Sequence, residues 1–541
     1  MPSFVTRVRS WYRAHGSWVG YLIVFSLAFI LFAYWQHLPL YADPDSFYHA
    51  KLAVLLRDGQ FVTDFAWLPF TTLAQTYADQ HFLYHLLLVP FVSLTDPLIG
   101  LKLATVVLGA LMALTFYWFL RRWQIPWALA TTVVLLLVNP FSFRMNLAKA
   151  SSLSLTLLLI GIAAAFAYRP WVLGLLAFCY VWFYGGFPLL VVATLTFAVV
   201  SYLHKRFVRR ENPNLLLHRI RALLGRLFRH RRVRRLNLRM AVAVLAGTGL
   251  GIVLNPFFPA NLRFYLDQFV RIGIVNYQKT IGVGGEWYPY GFIDLMANTV
   301  LVSIPLVITI VLFFLNWRKQ STRSITLALL WLFFFLLTLK SRRYVEYYVP
   351  FALLFVAFSL HDSLRHVRFR DLWFRVRAWF LRSGWARIGI VAFATYVAIV
   401  LPTVVVRDLV SERRDLAHGF RLDLFADESR WIAEHSHPGA VVFHSDWDEF
   451  PTLFYFNSYN RYIAGLDPTF LYLEDPTRYR QWANVTLGKE TGDVYEIIRG
   501  SFNADFVFVE HDHQAMDRLI AADDRFSLVY DGPDAKVYQV D

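Results

Sequence analysis

Two carboxylates, Asp43 and Asp45, flank Pro44 in the stretch Asp43-Pro44-Asp45-Ser46-Phe47-Tyr48-His49. Carboxylates at that spacing can hold a divalent cation or act as a general base. In a solvated turn punctuated by proline they do neither. Asp79-Gln80-His81, with His85 four residues on, puts an acid beside two imidazoles on one helix face. That spacing suits a metal, and it equally suits two histidines packed among aromatics. Glu286 ends a glycine-rich run, Gly282-Val283-Gly284-Gly285, so a flexible loop can carry it over a substrate or leave it solvated. Arg342 and Arg343 open Ser341-Arg342-Arg343-Tyr344-Val345-Glu346. Guanidinium groups there match phosphate oxygens in bidentate geometry, with pairing to Glu346 as the structural alternative.

The elements that must position these residues are apolar. Of 541 residues, 57% are hydrophobic and 18% aromatic, and the mean hydropathy is +0.43. A soluble enzyme of this size is excluded, and runs long enough to cross a bilayer recur along the chain. The net charge of +15 is confined to particular loops. It therefore reports membrane topology, and no nucleic-acid partner is expected. Cys179 is the only cysteine, so neither an internal disulfide framework nor a zinc–thiolate site is suggested. Arg7, Arg9 and Arg13 precede the first apolar run, and no small-residue cleavage pattern follows it. An uncleaved signal-anchor is expected.

Apolar runs near 17–36, 98–120, 127–141, 151–168, 171–184, 187–203, 240–258, 292–316, 324–339, 349–360 and 388–406 predict about eleven spans. A cytoplasmic N-terminus then collects the basic loops on one side: Arg121-Arg122, Arg169, the stretch 204–239, Trp317-Arg318-Lys319 and the stretch 361–387. The apolar stretch 82–94 is short and lies between prolines, so it is read as an interfacial helix on the outer face. The outer face then has four pieces: loop 38–97, a short loop near 142–150, loop 259–291 and the tail from 407. The tail carries β-type runs at Val441–His444, Arg461–Ala464, Phe506–Glu510 and Lys536–Val540, alternating with helical patterns. It predicts a soluble α/β domain over 407–541 behind a membrane domain over 1–406, with Asp531-Gly532-Pro533 as a hairpin turn.

This ensemble resembles the catalytic subunit of oligosaccharyltransferase, a GT-C membrane glycosyltransferase, in its archaeal and bacterial single-subunit forms. The likeness is strongest over 41–97. There Asp-Pro-Asp-Ser-Phe-Tyr-His-Ala-Lys-Leu is similar to the family's first acidic motif, and Asp64-Phe65-Ala66-Trp67-Leu68-Pro69-Phe70 continues it. The resemblance implies that Asp45 is the catalytic aspartate, assisted by Asp43, and that Glu286 is the external-loop glutamate. It implies that Arg342 or Arg343 binds the donor phosphate. It also makes Trp447 and Asp448, within Asp446-Trp447-Asp448-Glu449-Phe450, the acceptor-binding residues. Two departures matter. The loop expected to hold a second acidic motif reads Phe143-Arg144-Met145-Asn146-Leu147-Ala148-Lys149, with no carboxylate. A metal site on Asp43, Asp45 and His81, for Mn or Mg, would lose a ligand, and Arg144 or Lys149 could supply the positive charge directly and contact the donor phosphate. The acceptor motif has Asp446 where the family has tryptophan, and Glu449-Phe450 in place of Tyr-Gly.

These readings predict a polytopic GT-C-like protein of a bacterial inner membrane, with its tail in the periplasm. Its expected reaction moves a sugar or oligosaccharide from a polyprenyl-phosphate or -diphosphate donor to a glycan, lipid or protein acceptor. The alternative is a transporter or flippase of lipid-linked glycans. That would show ionisable residues in mid-span and inverted repeats; here the candidate polar groups fall in outer loops.

Overall fold

A computed structural model of the chain describes residues 4–207, 216–365, 378 and 384–541. Parts of the basic stretches 204–239 and 361–387 lie outside the described residues. Each of the eleven apolar runs is helical. Six described helices are long and apolar enough to cross a membrane, or eight if each sharply bent pair is one span. Phe82–Leu94, Ser151–Phe166, Pro170–Phe183 and Pro188–His204 are shorter apolar helices. The protein is thus a multi-pass, mainly helical membrane protein with an α/β domain at its C-terminus.

Both bends serve the site. Ala128–Leu137 and Asn139–Asn146 meet at 74°, with Pro140 in the first turn of the second helix. This short second piece carries Arg144. Phe292–Asn298 and Val300–Leu315 meet at 106°, directly after the loop that holds Glu286.

The helix of the last apolar run does not stop at 406. Leu401–Ala417 is one helix, so the expected boundary at 407 falls inside a helix that carries the chain from its last apolar run into the charged stretch 407–417. The chain then enters β2 (Phe420–Arg421), which pairs antiparallel with β1 (Leu40–Tyr41), immediately before the Asp pair. Gly419 permits this approach, because a Cβ there would collide with the Tyr41 carbonyl. From within the helix Pro97–Arg122, the Lys102 ammonium donates to the carbonyl oxygens of Gln36 (3.3 Å), Leu38 (2.9 Å) and Leu40 (2.6 Å). The loop leading to Asp43 is therefore tied to both halves of the molecule.

The outer domain is built on β3 (Val441–His444), β4 (Arg461–Tyr462), β5 (Phe506–Glu510), β6 (Phe526–Asp531) and β7 (Ala535–Val540), in the order β4-β3-β5-β7-β6. The first three are parallel, and β6–β7 is the expected terminal hairpin. Its helix Phe450–Phe456 packs on the helix Asp45–Arg57 through aromatic rings. Phe454 lies 4.8 Å from Trp67 and 5.7 Å from Phe65, centroid to centroid. Trp67 also donates from Nε1 to the Ser458 carbonyl at 2.8 Å. Within the segment Asp64–Phe70, buried Phe65 and half-buried Trp67 thus form the seam that fixes the outer domain over the membrane domain.

Candidate active site

Asp43 and Asp45 are held in register by backbone chemistry. Asp43 Oδ1 accepts the Asp45 amide at 2.9 Å, and Asp45 begins a 13-residue helix where unpaired amides favour a carboxylate. Lys149 reaches between them, with its Nζ 2.8 Å from Asp43 Oδ2 and 2.8 Å from Asp45 Oδ2. Burial works against that ammonium, but the two carboxylates outweigh it, so the Lys149 pKa lies above the usual lysine value. Burial also pushes Asp45 up to about 6, against the pull of Lys149 and with the push of Asp43. A carboxylate that titrates there is suited to general-base work near neutrality.

Glu286 sits in a one-turn helix, Gly285–Trp287. Its carboxylate pairs with Arg144 (2.5 Å) and with Arg343 (3.4 Å). Burial would raise its pKa, yet Arg343 and Arg144 hold it well below the usual carboxylate range. It is a fixed negative charge, not a proton acceptor. Arg144 also binds Glu346 at 3.0 Å, and Arg343 stacks over Trp287 at 4.6 Å and donates to the Tyr184 hydroxyl at 3.1 Å. The loop is pinned on both sides. Ser341 Oγ donates to the Glu286 carbonyl at 2.8 Å, Gly282 N donates to Tyr479 of the outer domain at 3.3 Å, and a Cβ on Gly284 would lie 3.5 Å from the Trp447 ring.

Asp45, Lys149, Glu286 and Arg343 mark the charged end of one cavity of about 510 Å³. Leu189, Val192, Phe333 and Leu337, on apolar helices of the bundle, mark its greasy flank. The two adjacent arginines part company here. Arg343 lines the cavity, whereas Arg342 lies outside it, exposed, donating to the Pro289 carbonyl at 3.3 Å and resting 5.8 Å from the Tyr290 ring. Lys149 and Arg144 are engaged by carboxylates. Lys340 lines the cavity with no carboxylate partner among the described residues, and it donates to the Ile274 carbonyl.

A divalent ion on the Asp pair does not fit this arrangement. Lys149 already bridges both carboxylates, and the loop that would add a third acid adds this lysine instead. The expected set of Asp43, Asp45 and His81 is not assembled either. The His81 ring stands 5.1 Å from His49 and 5.9 Å from His85, in a histidine cluster of its own.

Trp447 and Asp448 lie at the edge of the outer domain facing the site, in a group of acids with no Lys or Arg ion pair among the described residues. Burial and the neighbouring carboxylates, Asp446 first, push Asp448 up to about 8. Burial likewise raises Glu449 to about 8 and Glu510 to about 9.

No protein-family signature matches the sequence, and no curated protein does. Solved structures do match. The oligosaccharyltransferase AglB of Archaeoglobus fulgidus, in complex with an inhibitory peptide and a dolichol-phosphate, superposes with a TM-score of 0.60 at 13% identity over 98% of this chain and 75% of that one. The chain has the GT-C membrane fold. ArnT of Cupriavidus metallidurans gives a TM-score of 0.53 at 16% identity, covering 97% of this chain and 98% of that one. The mycobacterial arabinofuranosyltransferase AftD gives 0.55 at 12%, with 96% of this chain on 40% of its own length.

Within this GT-C bundle, the sequence drew attention to Asp43, Asp45, Lys149, Arg144, Glu286 and Arg343, and the structure brings all six together. It leaves Arg342 outside. Glu346, Tyr184, His49 and Lys340 were not singled out as site residues. Lys340 ends the helix Thr322–Lys340 and Arg343 lies in the next turn, Arg342–Tyr344, beyond an extended Ser341, so no helical spacing linked the two.

Proposed function

We propose that the protein is a membrane glycosyltransferase that uses a polyprenyl-phosphate or -diphosphate sugar donor. The observation that carries this reading is the amphipathic cavity, with a general-base carboxylate and a cation pair at one end and an apolar flank along bundle helices. A lipid phosphate has that same polarity. Asp45 takes the proton of the acceptor nucleophile, which attacks the anomeric carbon. The bond from that carbon to the donor oxygen breaks, and the electron pair leaves on the lipid phosphate. Arg343 and Lys340 face that leaving group and stabilise its charge in a low-dielectric setting. Asp43 caps the Asp45 amide, and Lys149 keeps the paired acids from repelling one another. No step passes through a metal at this pair. Glu286 holds Arg343 in place and closes the loop over the cavity beneath Trp447, next to Asp448, where an acceptor enters.

AglB was solved with a dolichol-phosphate and an inhibitory peptide bound, which supports a lipid-linked donor here. The altered acceptor residues of this chain keep protein, lipid and glycan acceptors equally open. The one-sided basic loops support a non-cytoplasmic site and outer domain, the periplasmic face if the membrane is a bacterial inner membrane. The site's ionisable groups gather beside the outer domain rather than along a pathway through the bundle, which favours chemistry over transport.

The test is a comparison of polyprenyl-linked glycans from cells with the gene, without it, and with Asp45→Asn. A donor should accumulate equally in the last two. Identical lipid profiles in all three would refute the proposal.

A further inference from the structure

Apart from the Asp pair, the molecule gathers a second group of ionisable side chains: Asp79, His85 and His49, all buried, and half-buried His81. His49 comes from the first turns of the helix Asp45–Arg57, and His81 and His85 from the start of the helix Phe82–Leu94 that packs against it. His85 Nδ1 lies 2.7 Å from Asp79 Oδ2, and His49 Nδ1 lies 2.7 Å from His85 Nε2. An ionised Asp79 only accepts, so His85 Nδ1 donates to it and Nε2 keeps its lone pair. One proton is then shared between His85 Nε2 and His49 Nδ1. The His81 ring makes no hydrogen bond among the described residues, and both His81 and His49 line the cavity.

We propose that His49, His81 and His85 form a site for a zinc-class transition-metal ion, with Asp79 orienting His85 from behind. One ring nitrogen from each histidine lies within 4.8 Å of the others. The ring centroids are 5.0, 5.1 and 5.9 Å apart. Imidazoles bound tetrahedrally at Zn–N distances of ~2.0–2.1 Å place neighbouring ring centroids ~5 Å apart, so the rings already stand close to ligating positions. The metal takes the place of the shared proton, and the His49–His85 nitrogens separate from 2.7 Å to the ~3.3 Å that a tetrahedral centre sets. Aromatic packing alone accounts for the burial of the rings. It does not call for a buried carboxylate behind one of them, the arrangement that fixes tautomer and basicity in zinc–histidine sites. An all-nitrogen donor set selects zinc and its neighbours over Mg or Mn. Three protein ligands leave a fourth position, open to the cavity through His49 and His81, for water or a ligand oxygen.

The inference does not rest on the transferase reading, because its readout is metal content. The full chain, purified in detergent, stripped with chelator and dialysed against Zn²⁺, should retain one zinc per chain by elemental analysis. Co²⁺ in its place should show the visible bands of a tetrahedral nitrogen-ligated ion. His81→Gln should abolish retention with least disturbance, since that ring makes no hydrogen bond. His49→Gln should do the same, and Asp79→Asn should weaken binding by about 10–100-fold. Exposed His418→Gln should change nothing. Equal melting temperatures for His81→Gln and wild type without metal exclude misfolding as the cause of loss. A wild type that holds no zinc overturns the proposal. So does zinc that survives His81→Gln but is lost in Glu510→Gln, which would assign the ion to Glu449, Glu510 and His513.

Discussion

The cavity and the acidic shoulder of the outer domain face one another, and both crowd carboxylates into poorly solvated space. In the cavity, Asp43, Asp45, Glu286 and Glu346 are interleaved with Lys149, Arg144 and Arg343, each contact between 2.5 and 3.4 Å. On the shoulder, the bases near Asp446, Asp448, Glu449 and Glu510 among the described residues are imidazoles: His513, 3.9 Å from Asp446 and 3.8 Å from Glu510, and His444, 3.3 Å from Glu449. Permanent cations balance the first group and protons balance the second. The cavity should therefore keep its architecture across the physiological range, with Asp45 titrating inside it, whereas the shoulder should respond to pH as a block.

The largest effect expected is at Asp45, the base of the balanced region. Asp45→Asn preserves shape and the contact with Lys149 while removing the base, so transfer should fall at least ~10²-fold. Asp43→Asn retains an oxygen to cap the Asp45 amide and should cost less. Initial rates with a saturating acceptor check both. An Asp43→Asn loss larger than that of Asp45→Asn would reverse the assigned roles.

Next come the two adjacent arginines. Arg343→Lys loses the fork between Glu286, Tyr184 and the leaving phosphate, and donor use should drop roughly tenfold, the scale of one charge-assisted hydrogen bond at about 1.5 kcal/mol. Arg342→Lys should stay near wild type, because that side chain lies outside the cavity. Rates against donor concentration separate the two, and equal losses would show that proximity to the loop matters more than access to the cavity.

Lys149 tests whether the balance itself is functional. It holds Asp45 down against burial, so Lys149→Met should move the acid limb of the rate profile upward from about 6 by about one unit. A limb that stays in place would mean that Asp45 is not the group whose ionisation the rate reports.

How much of this was legible follows from what each feature depends on. The helical bundle and the outer strands β3 and β5 were readable because hydrophobic period and length are local. The Asp pair was readable because its members are adjacent. The partnership of Lys149 with that pair joins residues about a hundred positions apart, and only the absence of an acid in the loop 143–149 hinted at it. Arg342 and Arg343 look alike in sequence, and a single turn of backbone decides which enters the cavity. The end of the helix of the last apolar run was not legible because Leu401–Ala417 passes from apolar to charged residues without a break, so composition changes before secondary structure does. The histidine cluster was half visible. His81 and His85 share a helix face, but His49 arrives from another helix.

The smallest expected effect is on stability, and it belongs to the shoulder. Asp448 and Glu449 titrate at about 8 and Glu510 at about 9 in the folded chain, against ordinary values of 3.8 and 4.5. Between those limits the folded state binds more protons than the unfolded state, so stability falls as pH rises. The contribution is complete below about 4 and lost by about 9. Glu286 works in the opposite sense, since its depressed value stabilises the fold above the usual carboxylate range, and it is constant throughout this window. Thermal unfolding of the full chain in detergent, followed by tryptophan fluorescence, should therefore give a higher midpoint at pH 6 than at pH 9. Glu510→Gln removes the carboxylate with the highest value and should narrow that gap by raising the midpoint at pH 9 more than the midpoint at pH 6. A gap that Glu510→Gln leaves intact, but Lys149→Met widens, would place the pH sensitivity in the cavity and remove the contrast between the two regions.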